Sequence, residues 1–140
     1  MINLIKLCVG IDSVSHLEEV RKRRKEAGQR REDGLIVHRT RFMPKRRDEI
    51  ISKGSLYWVI AGKIQCRQNI IDLSAQIDGE GKNCCDIIMD AKIIRTIPFP
   101  KRPFQGWRYL PKDDAPNDLN SSLGEGDAKL AAELASLGLI

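Results

Sequence analysis

Apolar residues recur along the chain at two periods, and the switches between them mark out its elements. "INLIKLCV" at 2–9 alternates, with Ile5, Leu7 and Val9 on one face, and predicts a first strand. From Ser13 to Ala27 the spacing becomes helical: Val14, Leu17 and Val20 form a narrow stripe, and Gly28 follows as a stop. Ser15 and Glu18 have capping-box spacing at the start of this helix. "GLIVHRTRFM" at 34–43 reads as a second strand, and Pro44 suits the first position of a short helix, "PKRRDEIISKG", that turns Ile50 and Ile51 to the core. "SLYWVI" and "KIQCRQNIIDL" flank Ala61-Gly62 as a hairpin, whose second run places Ile64, Cys66, Gln68 and Ile70 on one side. "SAQIDGEGKN" reads as a polar loop, and "CCDIIMD" and "KIIRTIP" as two further short strands.

The prolines of "PFPKRPFQGWRYLPKDDAP" exclude regular helix there, and "NDLNSSLGEGD" has the composition of a linker. "DAKLAAELASLGLI" closes the chain as a short amphipathic helix, with Asp127 as cap and Leu130, Leu134 and Leu137 at helical spacing. The expected fold is α+β: a small, mostly antiparallel sheet with two early helices and a short C-terminal helix. Residues 1–110 form one domain in this reading, and residues 111–140 an acidic linker and helix.

Charge sharpens the division. The 140 residues carry a net charge of +5, but residues 1–110 hold 22 Lys and Arg against 13 Asp and Glu, while residues 111–140 hold 2 against 6. A basic body with an acidic tail fits a polyanionic partner, for which the tail partly competes. No apolar run approaches the roughly 20 residues of a membrane helix, and the N-terminus has no cationic leader, so a cytoplasmic location is expected. The four cysteines form no Cys-x-x-Cys pair, and adjacent Cys84 and Cys85 suit chelation poorly; reduced thiols are expected, without zinc or any other metal. His16 and His38 have no nucleophile at a recognisable spacing, and Asp86 and Asp90 share strand parity with nothing to mark them as catalytic. Gly-rich phosphate loops, G-x-S-x-G and H-E-x-x-H are missing, so no catalytic residue and no cofactor are assigned.

Three groups of residues carry the candidate chemistry. "RKRRK" at 21–25, with Arg30 and Arg31, could track phosphates, but a charge run of this kind is more often a solvated helix face. Arg39 and Arg41 share one face of a strand, and Lys45, Arg46 and Arg47 open the following helix, so five cations and a helix N-terminus converge; this group ranks first for anion binding. "KRPFQGWRYL" at 101–110 sets cations beside aromatic faces, as base stacking with phosphate contact requires. There Trp107 is expected to pack while Arg102, Gln105 and Arg108 line the outside, and Trp58 joins the set from the hairpin.

Two resemblances follow from these stretches. "INLIKLCVG", the "YWV" hairpin and "RPFQGWRYL" together resemble a bacterial family of unknown function, which brings no established activity. More loosely, a strand ending in Tyr57-Trp58, a Gly turn and a strand of G-x-I-x-x-x-x-x-I type resemble the pseudobarrel of PUA-like domains and their ASCH and EVE relatives. That likeness implies a cleft of aromatic and basic residues that binds RNA or modified bases. Some ASCH-like proteins are amidohydrolases using Lys, Thr and Glu, a trio with no counterpart assigned here. The resulting expectation is a non-catalytic nucleic-acid-binding module. A small hydrolase acting on a modified nucleobase or nucleoside is one alternative, and a protein-interaction module that docks its C-terminal helix on a partner or a second copy is another.

Overall fold

Six residues with almost no polar surface, Ile2–Leu7, form β1, and the chain then turns at Gly10, whose φ of 78° only glycine adopts without strain. The computed structural model describes residues 1–119. Val9, expected on the inner face, lies in the turn after β1 and is 87% exposed. Helix α1, Val14–Glu26, is capped by Ser13, whose hydroxyl accepts from the His16 backbone N–H at 3.0 Å. The expected cap at Ser15 is not formed. Glu18 instead accepts from Arg95 at 2.6 Å, and Ser15 Oγ accepts from the same guanidinium, which fastens α1 to the distant strand that carries Arg95.

The remaining elements are β2 (Ile36–Thr40), α2 (Arg47–Lys53), β3 (Ser55–Ile60), β4 (Lys63–Ile77), β5 (Asn83–Met89), β6 (Ile94–Pro100) and β7 (Trp107–Pro111), followed by a 3₁₀ turn at Lys112–Asp114. All seven strands join one sheet in the order β2-β5-β4-β3-β1-β7, and β6 pairs the first part of β4. Every pairing is antiparallel except β1 with β3. The fold is therefore α+β with a mostly antiparallel sheet. Among the described residues no pairing joins β2 to β7, so the sheet is open and does not close into a barrel. β7 was hidden in the sequence by its flanking prolines, which sit at the strand's end and outside it, where no ladder hydrogen bond is lost.

The 15-residue β4 organises the sheet. Its first part is flanked by β3 and β6, and its second part by β5. Ala61 and Gly62, with φ of 51° and 77°, make the tight turn between β3 and β4, the conformation whose twist matches a hairpin. Bulges interrupt the strict alternation expected along β4: register shifts occur between Ile64 and Cys66 and again between Ile70 and Asp72. As a result Cys66, Ile70 and Leu73 enter one core with Leu4, Trp58 and Ile87, while Ile64 enters a second with Ile5, Tyr57, Val59 and Leu110. The first core is covered by α1 through Val14 and Leu17 and by α2 through Ile50. The second is covered by Phe104 and Ala115, from the chain before and after β7.

The hydrogen-bonded chain continues past residue 110, where the acidic linker was placed. Asn117 O accepts from Ile97 N at 2.8 Å, and Leu119 N donates to Arg95 O at 3.0 Å, so this segment runs beside β6. Asp118 meets Arg67 of β4 through two 2.9 Å hydrogen bonds. The expected C-terminal helix at 127–140 lies outside the described residues.

Candidate nucleic-acid interface

The two stretches expected to form the interface meet in space. Trp107 Nε1 donates to Phe42 O at 2.7 Å, and Arg46 N donates to Tyr109 Oη at 3.2 Å, so β7 holds the loop between β2 and α2. Trp107 and Tyr109 pack edge to face at 4.9 Å, and the Arg46 guanidinium lies 5.6 Å from the Tyr109 ring. Trp107 packs against the first core, as expected.

The cations of that loop, however, are spent on neighbours. Arg39 makes a two-pronged bond to Asp86 at 2.7 and 3.1 Å, across the β2–β5 pair. Arg41 donates to Asp78 at 3.3 Å and to Asn83 O at 3.1 Å. Arg46 grips Glu49 at 2.5 and 2.9 Å, and this bond holds the Glu49 carboxyl below its ordinary range. Arg47 donates to Leu73 O and pairs with Asp72. Of the five, Lys45 is exposed and makes no ion pair among the described residues. The helix begins at Arg47 rather than Pro44, and Pro44 is buried in the loop before it. The expected convergence of free cations on a helix N-terminus is therefore not formed.

Trp58 is likewise unavailable to a ligand. It is 2% exposed, its indole N–H donates to the buried Gln68 at 2.9 Å, and its ring meets the His38 imidazole edge-on at 5.1 Å. Arg102 and Gln105 are exposed. Arg108 is exposed and stacks over Phe104 at 5.1 Å. It borders a cleft of about 410 Å³ together with Lys101 and Phe99, whose ring is 46% exposed. A half-exposed ring and two cations share this cleft, as in a base-stacking site, and Asp113 and Asp114 line it too.

The α1 cluster, ranked lower in the sequence, is left largely without matching carboxylates. On α1 and the turn after it, Arg21, Lys22, Arg24, Lys25 and Arg30 make no ion pair among the described residues, whereas Arg23 reaches Glu19 at 4.0 Å and Arg31 reaches Asp33 at 2.9 Å. Arg21 is 9% exposed, and its Nη1 is buried with no hydrogen-bond partner. Arg30 folds back to donate from Nη2 to Arg21 O at 3.3 Å, while its Nε is buried without a partner. Burial lowers the Arg21 pKa; Cys8 opposes it, and the charges of Arg24 and Arg30 add smaller lowering effects. The signal was present in the sequence: Arg21 follows Val14 and Leu17 at the i+7 and i+4 positions, on the face turned to the core.

His38 belongs to the same interior. Burial, with Lys6 and Arg21 adding to it, pushes its pKa down to about 4, and its Nε2 is buried without a partner. Cys8 and Cys66 are pushed up to about 11 and about 12, chiefly by burial, so both are neutral thiols at physiological pH.

The sequence matches the family model described as Protein of unknown function (DUF1489) over residues 4–140. The chain belongs to that family. The match extends through the acidic tail, so the DUF1489 family includes residues 111–140 along with the sheet. No curated protein and no solved structure matches the DUF1489 chain. No helix among its described residues is long and apolar enough to cross a membrane.

Proposed function

We propose that this DUF1489 chain is a non-catalytic nucleic-acid-binding module, with RNA or another single strand as its partner, and that α1 supplies the phosphate contacts. The observation that carries the reading is the row of cations without ion pairs among the described residues at Arg21, Lys22, Arg24, Lys25 and Arg30, whereas Arg39, Arg41, Arg46 and Arg47 are each matched by a carboxylate. An unmatched cation gains fully from releasing phosphate counterions, whereas a paired one must first surrender its carboxylate. Phe99, Lys101 and Arg108 supply a base-stacking surface on the side of the sheet away from α1. The reading agrees with the resemblance to PUA-like, ASCH and EVE domains, and that finer fold assignment is part of the proposal.

The test is binding of a fluorescent single-stranded RNA across a salt series. Each phosphate contact contributes a log–log slope of about −0.7 on single strands. Replacing Lys22, Arg24 and Lys25 by Gln should flatten the slope by about two units. Replacing Arg39, Arg41 and Arg46 by Gln should leave it nearly unchanged, because those side chains are held by Asp86, Asp78 and Glu49. Equal losses from the two triples would point to net charge alone, and no binding at low salt would end the reading.

A second reading rests on a cleft of about 430 Å³ where Ser55, Tyr57, Arg67 and Asn69 converge. That volume lies in the range of small-ligand sites. A small hydrolase of modified nucleobases or nucleosides would use this cleft, and release of free base from a nucleoside panel would move that reading ahead.

A further inference from the structure

An arginine keeps its charge at any physiological pH, so a buried one has no neutral form to retreat to. Arg21 is nine-tenths buried, no carboxylate among the described residues partners it, and one of its terminal nitrogens has no acceptor. A second buried donor without an acceptor, Arg30 Nε, belongs to the side chain that bonds to the Arg21 carbonyl. Both residues line a partly open cavity of about 130 Å³ shared with Arg24, Arg31, Leu35 and Val37; no acidic residue lines it among the described residues. On its other side the same pair borders a more open hollow of about 400 Å³, with Lys22, Lys25 and Lys92 and with Glu18, whose carboxylate is taken by Arg95. The carbonyls at the end of α1, which would repel an anion, are taken: Arg23 O accepts from Ala27, Arg24 O from Gln29 and Lys25 O from Gly28. The cavity's potential is thus set by its guanidinium groups.

Water would satisfy the two orphaned donors but would not neutralise the charge, and the cost of burying an ion without a counter-ion is several kcal/mol. The cavity holds the volume of about four waters and falls below the roughly 300 Å³ at which whole-ligand pockets begin. Its occupant is therefore a small anion or the charged end of a larger molecule. We infer that Arg21 and Arg30 form a built-in site for a phosphate group, either the free ion or a terminal phosphomonoester, with Arg24 as the neighbouring cation and Arg31 held by Asp33. A phosphomonoester brings nearly two negative charges and three acceptor oxygens, which matches paired guanidinium donors better than a halide or a single carboxylate does. This deepens the nucleic-acid reading, because the phosphate at a strand's 5′ end has the required chemistry.

Thermal unfolding of the full chain in inorganic phosphate, against sodium chloride of equal ionic strength, tests the site. Phosphate should raise Tm above the chloride value in a saturable way, since a ligand of the folded state stabilises by mass action. Arg21→Met keeps the length and apolar stem of the side chain, and Arg30→Gln keeps its polarity; each should abolish the phosphate-specific rise, while Arg39→Gln should retain it. If Arg21→Met does not fold, Arg30→Gln carries the test alone. Equal rises in phosphate and chloride, or a phosphate rise that survives Arg30→Gln, would overturn the inference. Competition by a 5′-phosphorylated oligoribonucleotide, but not by its 5′-hydroxyl counterpart, would assign the phosphate to a nucleic-acid end; binding of the free ion without such competition would assign it to free phosphate. Phosphate binding without RNA binding leaves the site standing and removes the nucleic-acid function. RNA binding unchanged in Arg30→Gln, with no phosphate-specific rise in the wild type, removes the site and leaves the function.

Discussion

Replacing Asp118 by Asn should loosen the end of the described chain from the sheet. Both carboxylate oxygens of Asp118 accept from Arg67 at 2.9 Å, and the two side chains are 25% and 19% exposed. Arg67 also donates to Ser55 Oγ at 2.9 Å and Asn69 Oδ1 at 2.6 Å, so it is fixed in place and cannot follow a retreating partner into water. Exposed ion pairs contribute about 0–1 kcal/mol, and breaking a fully buried one costs about 3–5 kcal/mol. This pair lies between those limits, and an asparagine keeps one acceptor, so a loss of about 2 kcal/mol is expected. For a chain of this size that is a fall in Tm of roughly 8 °C. Differential scanning fluorimetry resolves such a shift, and urea denaturation should give the same loss with little change in slope. Asp33→Asn is the control, because its pair with Arg31 is 45% and 47% exposed, and it should move Tm by no more than about 2 °C. A double-mutant cycle with Arg67→Gln should return a coupling above about 1 kcal/mol. Asp118→Asn indistinguishable from the control would refute the argument and return residues 111–119 to the status of a linker.

Gly54→Ala should cost about 1–3 kcal/mol or more, because a Cβ there would collide with the carbonyl oxygens of Ile2 and Ile50; chemical denaturation measures it, and a neutral result would mean that α2 can shift. Ala61→Asn should stabilise by about 0.5–1 kcal/mol, since the exposed turn holds Ala61 at φ 51°, which asparagine tolerates better; a fall in Tm would count against that turn geometry. His38 is lowered from 6.5 to about 4, so the unfolded chain binds its proton first and stability falls as pH drops through that window, by at most about 3 kcal/mol. Above pH 6.5 the residue should contribute no pH dependence. The stability of wild type minus His38→Gln, followed from pH 7 to 4, should decline accordingly, and a flat difference would show that His38 is solvated.

Local patterns in the sequence were enough for most of the elements, with β7 the exception. Alternation located β1 and β2, runs of strand-favouring residues located β5 and β6, the Ala61-Gly62 turn located the β3–β4 hairpin, and Gly28 and Gly54 marked the ends of α1 and α2. Those features act within a few residues, so they can be read from one stretch at a time. Which cations remain available to a ligand could not be read that way. Arg39 and Arg41 meet Asp86 and Asp78 from 47 and 37 positions away, and Arg67 meets Asp118 from 51, because β4 and its neighbours bring those strands together. The same topology leaves Arg21 buried against the sheet without a carboxylate, although its place on the apolar stripe of α1 was visible. The sequence determines how many cations the protein has and which face of a helix or strand carries each one. Whether a carboxylate stands opposite is decided by long-range strand pairing, since an ion pair needs contact within a few ångströms and sequence distance does not measure that.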